Sequence, residues 1–317
     1  MQISHPTLER NPISIVCAAD DNFVMGLAVT LYSTLVNIDS NNPIDIYILD
    51  GGISNQNKYR LDRVISNSQV PVNLKWLQPD VAALKGVKVT RSFTLAACFR
   101  LLLPELLPTE VERVIYLDSD LVVEGNLAEL WKEKLGDSPA LGVQDFLYPY
   151  GSKEVQNTYR ELNLPSDTLC CNSGVMVINL KQWRIESLGH QVLDYIRRNH
   201  DVVYLPDQDG INAIIGNRWK YLDPKWNVQI FGANKPAIKL PYESNIIIQD
   251  AFILHFTTSV KPWHSLYRQP GGTRFAHYLK NSNWFNVSEY VLWFNRIRLP
   301  QILIYFLANF KRNLRKN

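Results

Sequence analysis

The chain has 317 residues, 46% hydrophobic and 20% charged, enough apolar material for one large core or a core with an appended segment. Its net charge of +3 is unevenly placed: residues 284–317 hold six Lys or Arg and one Glu, so this tail carries +5 and the rest about −2. The near-neutral body has no stripe of Lys and Arg of the kind a nucleic-acid surface needs, which excludes nucleic acid as a partner.

Apolar runs rich in Val and Ile predict strands at Ile13–Ala19, Ile44–Leu49, Val72–Leu77, Val114–Leu117, Ala140–Val143 and Val175–Leu180. Helical patterns lie between them at Val24–Val36, Ser54–Ser68 and Ser92–Leu103, and further on at Trp183–Asn199 and Asp207–Ile215. A last strand-like run reads "IIIQDAFILHF". The alternation predicts an α/β fold, a mainly parallel mixed sheet with helices on both faces. Ligands of such sheets gather at the carboxyl ends of strands. Here those ends carry "AADDN", "DSD" and "QD". The opening residues lack a basic start followed by a long apolar run, so a cytoplasmic chain is expected. Cys17, Cys98, Cys170 and Cys171 form no CxxC and read as free thiols. Asn286-Val287-Ser288 matches a glycosylation pattern by chance.

"YLDSDLVV" (116–123) sets two aspartates inside an apolar, strand-like run. Side chains two apart on an extended segment point the same way, so Asp118 and Asp120 share a face and Ser119 turns away. Two such charges repel unless solvent or a cation lies between them, and hard divalent ions prefer oxygen ligands. On this spacing alone, a turn with two solvated aspartates is the plainer reading, and the metal reading needs further residues. "HFTTSVKPWH" (255–264) adds His255 at a strand end, with Lys261 and His264 in a loop stiffened by Pro262 and anchored by Trp263. A rim histidine, a lysine and a carboxylate pair together suit a metal-bound diphosphate. "CCNSGVMVINL" offers Asn172 and Gly174 ahead of a strand, and "LPDQDGINAI" offers Asp207 and Gln208 in a first helical turn. Asp207 also reads as a helix cap.

With these stretches assembled, the chain resembles the retaining glycosyltransferases of family 8. "AADDNF", "LAACFRLLLPELLP", "RVIYLDSDLVVEGNLAELW", "CCNSGVMVINLKQWR", "LPDQDGINAI", "LDPKWN" and "HFTTSVKPWH" occur in family order from about Ile13 to about His264. The resemblance implies a GT-A fold, a UDP-hexose donor and Mn²⁺ (or Mg²⁺). It implies that Ala18, Asp20, Asn22 and Phe23 hold the nucleotide. Arg100 would lie by the donor sugar and diphosphate, and Ser119, between the metal ligands Asp118 and Asp120, would also bind the nucleotide. His255 would be the third metal ligand and Lys261 the grip on the diphosphate. Asp145, Asn172, Asp207, Gln208 and Thr258 would surround the transferred sugar. Phe23 stands where relatives often have tyrosine, Ala97-Cys98 where they have Thr-Tyr, and Thr258 where they have glycine.

The reaction expected is hexose transfer, of glucose or galactose, to a glycan or glycolipid acceptor. Asp207 and Gln208 are the candidate catalytic residues: Gln208 would stabilise the oxocarbenium-like sugar while Asp207 fixes its hydroxyls. The rivals are a glycosidase, a metal-dependent sugar nucleotidyltransferase and a non-catalytic nucleotide-sugar-binding protein. A catalytic domain is expected over 1–283 and a basic, aromatic helical tail over 284–317, divided by Pro300 into two short helices. Aromatics interleaved with Lys311, Arg312, Arg315 and Lys316 suit an anionic membrane surface, which places the chain at the inner face of the cell membrane.

Overall fold

Along β1 (Ile13–Ala19) every residue is buried, and the side chains alternate between two apolar layers. Ile13, Ile15, Cys17 and Ala19 enter one layer, and Val16 and Ala18 the other, as a strand covered on both faces requires. In the computed structural model the described residues are 11–66, 68–87, 94–147, 157–159, 162–165, 167–230 and 248–303. Their strands form two sheets. The larger contains β1, β2 (Ile44–Asp50), β3 (Val72–Leu77), β4 (Arg113–Leu117), β6 (Ala140–Gln144), β7 (Cys171–Asn179) and β8 (Lys220–Tyr221), in the order β3-β2-β1-β4-β7-β6-β8. β1 runs parallel to β2 and β4, while β7 is antiparallel to both β4 and β6, so the sheet is mixed.

The second sheet is small and was not visible in the sequence. It joins β5 (Leu121–Val123), β9 (Val228–Gln229) and β10 (Ile253–His255) in the order β5-β10-β9. The run "IIIQDAFILHF" therefore yields only a three-residue strand, because Gln249 and Asp250 form a 3-10 turn ahead of it. His255 lies on this second sheet and not on the rim of the first. The antiparallel register sets His255 opposite Leu121, directly after Asp120.

Helices cover the sheet on both sides: α1 (Val24–Asn37) and α2 (Asn55–Ile65) on one, and on the other α3 (Leu95–Cys98), α4 (Leu103–Leu106), α6 (Leu180–Ile185), α7 (Leu188–Arg198) and α8 (Pro206–Ile215). The short α5 (Leu127–Lys132) follows β5. The predicted helix 183–199 is two helices, because Ser187 adopts a left-handed conformation (φ 53°) between α6 and α7. The predicted helix 92–103 is broken too: a 3-10 segment, Phe99–Leu102, separates α3 from α4, and Pro104 in the first turn of α4 supplies no donor to the turn before it.

α1 does more than pack. Thr30 Oγ1 accepts from Leu121 N at 3.1 Å, Ser33 Oγ accepts from Val123 N at 2.9 Å, and Asn37 Nδ2 donates to Val123 O at 2.9 Å. Side chains spaced along one face of a helix thus satisfy the β5 edge that no strand covers. The close approach also demands Gly26, where a Cβ would collide with the Ser119 carbonyl oxygen and lie 2.6 Å from the Trp263 ring.

After α9 (Gly272–Asn281), Trp284 and Trp293 join the core layer shared with β1 and α1. α10 (Val287–Trp293) opens with a reciprocal cap, Asn286 accepting from Glu289 N and Glu289 accepting from Asn286 N, both at 2.9 Å. Pro300 does not divide this helix. The chain passes through a wide π turn, Phe294–Arg298, and stays helical over 299–303. The wide turn accommodates the proline ring and its missing donor. No helix among the described residues is long and apolar enough to cross a membrane. Lys311, Arg312, Arg315 and Lys316 lie outside the described residues.

Candidate active site

The carboxyl ends of β1 and β4 open into a cleft of about 450 Å³. Ala18, Asp20, Phe23, Arg100, Asp118, Ser119, Asp120, Asp145, Asn172, Asp207, Gln208, His255, Thr258 and Lys261 all line it. Asn22 is the exception among the candidates. It is exposed, off the cleft, and its N–H donates to Asp20 Oδ1 at 2.9 Å.

At the centre, β4 ends and the chain turns through Asp118-Ser119-Asp120 into β5. Ser119 turns away as expected, its hydroxyl donating to the Ala18 carbonyl at 2.5 Å and tying this turn to β1. Carboxylate oxygens of Asp118 and Asp120 and a ring nitrogen of His255 lie within 4.8 Å of one another. Burial opposes ionisation of Asp120, but Lys261 and His255 outweigh it and hold the carboxyl well below the usual carboxylate range. Lys261 Nζ contacts Asp120 Oδ2 at 2.6 Å and the Phe256 carbonyl at 2.7 Å.

Arg100 balances the other aspartate. Its guanidinium is 2% exposed and stacks 4.2 Å from the Tyr116 ring centroid. It donates to Asp118 Oδ1 at 2.6 Å and to the Ser173 carbonyl, and its Nε lies 3.2 Å from Asp207 Oδ2. Burial works against this charge, and Asp118, Tyr116 and Asp207 outweigh it, holding Arg100 protonated. The shorter contact goes to Asp118. Burial therefore keeps Asp207 above the ordinary carboxylate range despite Arg100, with Ser173 Oγ donating to it at 3.1 Å.

A chain of amides fixes the imidazole. Gly174 N–H can only donate, so the Asn172 oxygen faces it and the Asn172 amino group donates to Asp145 Oδ2 at 2.9 Å. The Asn172 carbonyl oxygen then accepts from Gly174 N at 3.1 Å and from Asn227 Nδ2 at 2.9 Å. This leaves Asn227 Oδ1 facing His255 Nδ1 at 3.0 Å, a contact that requires the ring proton on Nδ1. Nε2 then points at the carboxylates, 3.3 Å from Asp120 Oδ1 and 3.7 Å from Asp118 Oδ2. Two carboxylates and one ring nitrogen converging in this way form an oxygen-rich donor set that fits a hard divalent ion. Gly174 is required here, since a Cβ would collide with His255 Cε1 and lie 2.7 Å from Asp118 Oδ2.

Gln208 belongs to the same network, its Oε1 accepting from Ser173 N at 3.2 Å and its Nε2 donating to Asp145 Oδ2 at 3.1 Å. At the opposite end, Asp20 Oδ1 caps its own turn and Phe23 meets Trp263 edge-on at 5.7 Å. Thr258 Oγ1 donates to the Val260 carbonyl at 2.9 Å within its own loop. His264 faces back into that loop, where its Nδ1 accepts from Lys261 N at 3.1 Å; burial, with Lys261 beside it, lowers its pKa and keeps it neutral. The sequence reading missed Asn227. The "LDPKWN" stretch was the available signal, but only the fold brings that amide to His255.

Comparison with known proteins identifies the family and the fold. General stress protein A of Bacillus subtilis is 30% identical over 87% of this chain and 96% of its own length. The lipopolysaccharide 1,2-glucosyltransferase of Escherichia coli K12 is 25% identical, covering 86% of this chain and 79% of its own. The lipopolysaccharide 1,3-galactosyltransferase of Salmonella typhimurium is 23% identical over 96% and 93%. Among solved structures, the galactosyltransferase LgtC in complex with donor and acceptor sugar analogues superimposes with a TM-score of 0.70 at 24% identity, covering 85% of this chain and 96% of LgtC. That likeness shows the GT-A fold. The model of the family described as glycosyl transferase family 8 matches residues 14–267, and the chain belongs to that family.

Proposed function

We propose that this glycosyltransferase moves a hexose, glucose or galactose, from a UDP-sugar to a glycan or glycolipid acceptor with retention, using Mn²⁺ (or Mg²⁺). One observation carries the reading: Asp118, Asp120 and His255 converge within 4.8 Å in the cleft that Arg100 and Lys261 also line. The lipopolysaccharide glucosyl- and galactosyltransferases among the relatives support the hexose and the glycan acceptor.

A divalent ion held by Asp118, Asp120 and His255 would neutralise diphosphate charge and make UDP a good leaving group. The chain's own groups do the rest. Lys261 and Arg100 bring positive charge to the diphosphate side of the cleft. Asp207, Asp145, Asn172 and Gln208 orient the sugar through its hydroxyls, fixed in place by their mutual hydrogen bonds. Gln208 presents a weakly nucleophilic amide, which suits stabilisation of positive charge on the sugar ring better than a covalent intermediate. The acceptor hydroxyl then attacks on the face that UDP leaves, its proton passing to the departing phosphate oxygen.

The nucleotide end falls to Ala18, Asp20 and Phe23, with Asn22 acting through the turn it forms with Asp20. Residues 284–303 continue the catalytic body, and their outer face exposes Val287, Val291, Leu292, Leu299 and Leu303. That apolar face and the basic residues that follow suit docking on an anionic membrane surface at its cytoplasmic side.

The purified chain should split UDP-glucose or UDP-galactose in Mn²⁺, releasing UDP, lose this activity in EDTA and regain it when Mn²⁺ is restored. Pyrophosphate as product, or turnover that ignores EDTA, refutes the reading. Gln208→Ala should lower kcat about 100-fold with UDP affinity little changed; undiminished turnover would remove Gln208 from the chemistry. Asn227→Leu should weaken Mn²⁺ binding about 10–100-fold, measured by competition with a metal-sensing dye, and Asn227→Asp far less, because it keeps the acceptor for His255 Nδ1–H. Equal affinity for the leucine variant and the parent would dismiss the amide chain. The full-length chain should co-sediment with phosphatidylglycerol vesicles at low salt and leave them at high salt; protein that stays in solution at low salt counts against docking.

A further inference from the structure

The loop that carries Lys261 is gripped from behind by the C-terminal helical segment. Gln301 is 3% exposed, and its Nε2 donates to two carbonyls of that loop, Pro262 at 3.0 Å and His264 at 2.7 Å. Its Oε1 accepts from Arg298 Nη1 at 3.0 Å. An arginine on one side can only donate and two carbonyls on the other can only accept, so the chemistry allows this amide one orientation. Arg298 is itself tied to Thr273 of α9 at 2.6 Å.

The loop closes on itself only locally. His264 N donates to the Lys261 carbonyl at 2.9 Å and Lys261 N to His264 Nδ1 at 3.1 Å, a single turn around Trp263. Trp263 is buried in the core, against Phe23, Phe275 of α9 and the space left by Gly26. The two carbonyls on either side of Trp263 both accept from Gln301, and that of His264 also accepts from Tyr267 N at 3.0 Å. The amide therefore sets where this turn sits, and with it the point from which Lys261 reaches Asp120.

We propose that Gln301 is a positioning residue for donor binding. It holds the Lys261 turn at the diphosphate through two hydrogen bonds, and so makes the C-terminal helical segment part of the active site's support. The segment lies beyond residue 267, where the family match ends. The proposal rests on the reading of Lys261 as the diphosphate's partner, and the test separates the two.

Gln301→Glu in the full chain keeps the shape and the Arg298 contact but removes the donor. Gln301→Met removes the donor without adding a charge. In both variants the Kd for UDP in Mn²⁺ should rise about tenfold. Amide exchange over 257–267 should quicken while exchange in β2 and β3 stays at the parent's rate, which a merely global loss of stability would not produce. Parent-like exchange in that loop with unchanged UDP affinity overturns the proposal. So does faster exchange in β2 and β3 matching that in the loop. Lys261→Ala is the control: weaker UDP binding there, alongside parent-like Gln301 variants, defeats the proposal alone. UDP binding that survives Lys261→Ala defeats the reading of Lys261, while loop exchange still decides whether Gln301 holds the turn.

Discussion

Asp118 and Asp120 place two negative charges on one short turn against an apolar core, and the architecture around them answers that constraint. Each carboxylate has its own cation from a different part of the chain. Arg100 meets Asp118 from the segment between α3 and α4, and Lys261 meets Asp120 from the loop after β10. His255 faces both carboxylates through Nε2. Removing either aspartate from water without these partners would cost several kcal/mol. The same two cations line the cleft, beside the carboxylates they neutralise.

Holding that turn rigid falls to an unusual edge. β5 is only three residues long, and one side of it is satisfied by Thr30, Ser33 and Asn37 of α1 rather than by a strand. Polar side chains inside a mostly apolar helix are thereby explained: they are the helix's contribution to a sheet edge. β10 covers the opposite side and delivers His255 in register. From Asp145 through Asn172 and Asn227, donors and acceptors run on to the His255 ring, so the Asp145 end and the Asp118–Asp120–His255 end of the cleft share one hydrogen-bond network.

The C-terminal segment extends this support outward. Arg60 pairs with Glu289 at 2.6 Å and stacks near Trp284 and Phe285, while Trp293 enters the main core. Its inner face is committed to α2, α9 and the Lys261 loop. Its outer face shows apolar side chains to solvent. A surface that docks there would press on the helix that holds the loop, which links where the enzyme sits to how firmly its lysine turn is held.

Much of this was legible in the residues alone. Continuous Val and Ile runs marked the doubly covered strands, because a strand buried on both faces has no polar positions to show. The two-residue spacing of Asp118 and Asp120 put both on one side, since the pleat alone dictates it. Other features were beyond reach. That His255 belongs to a second sheet depends on β5 leaving the first, which no local pattern encodes. Ser187 splits a helix through a backbone torsion that its identity does not announce. Asn227 and Gln301 look like ordinary surface amides until the fold buries them, one against His255 and the other against two loop carbonyls. Periodicity and motif spacing are properties of neighbours along the chain, so the sequence by itself determined the strands of the main sheet, the family and the set of chemical groups. Partnership between a histidine, an amide and a carboxylate far apart in sequence is a property of packing, and only the tertiary structure decided it.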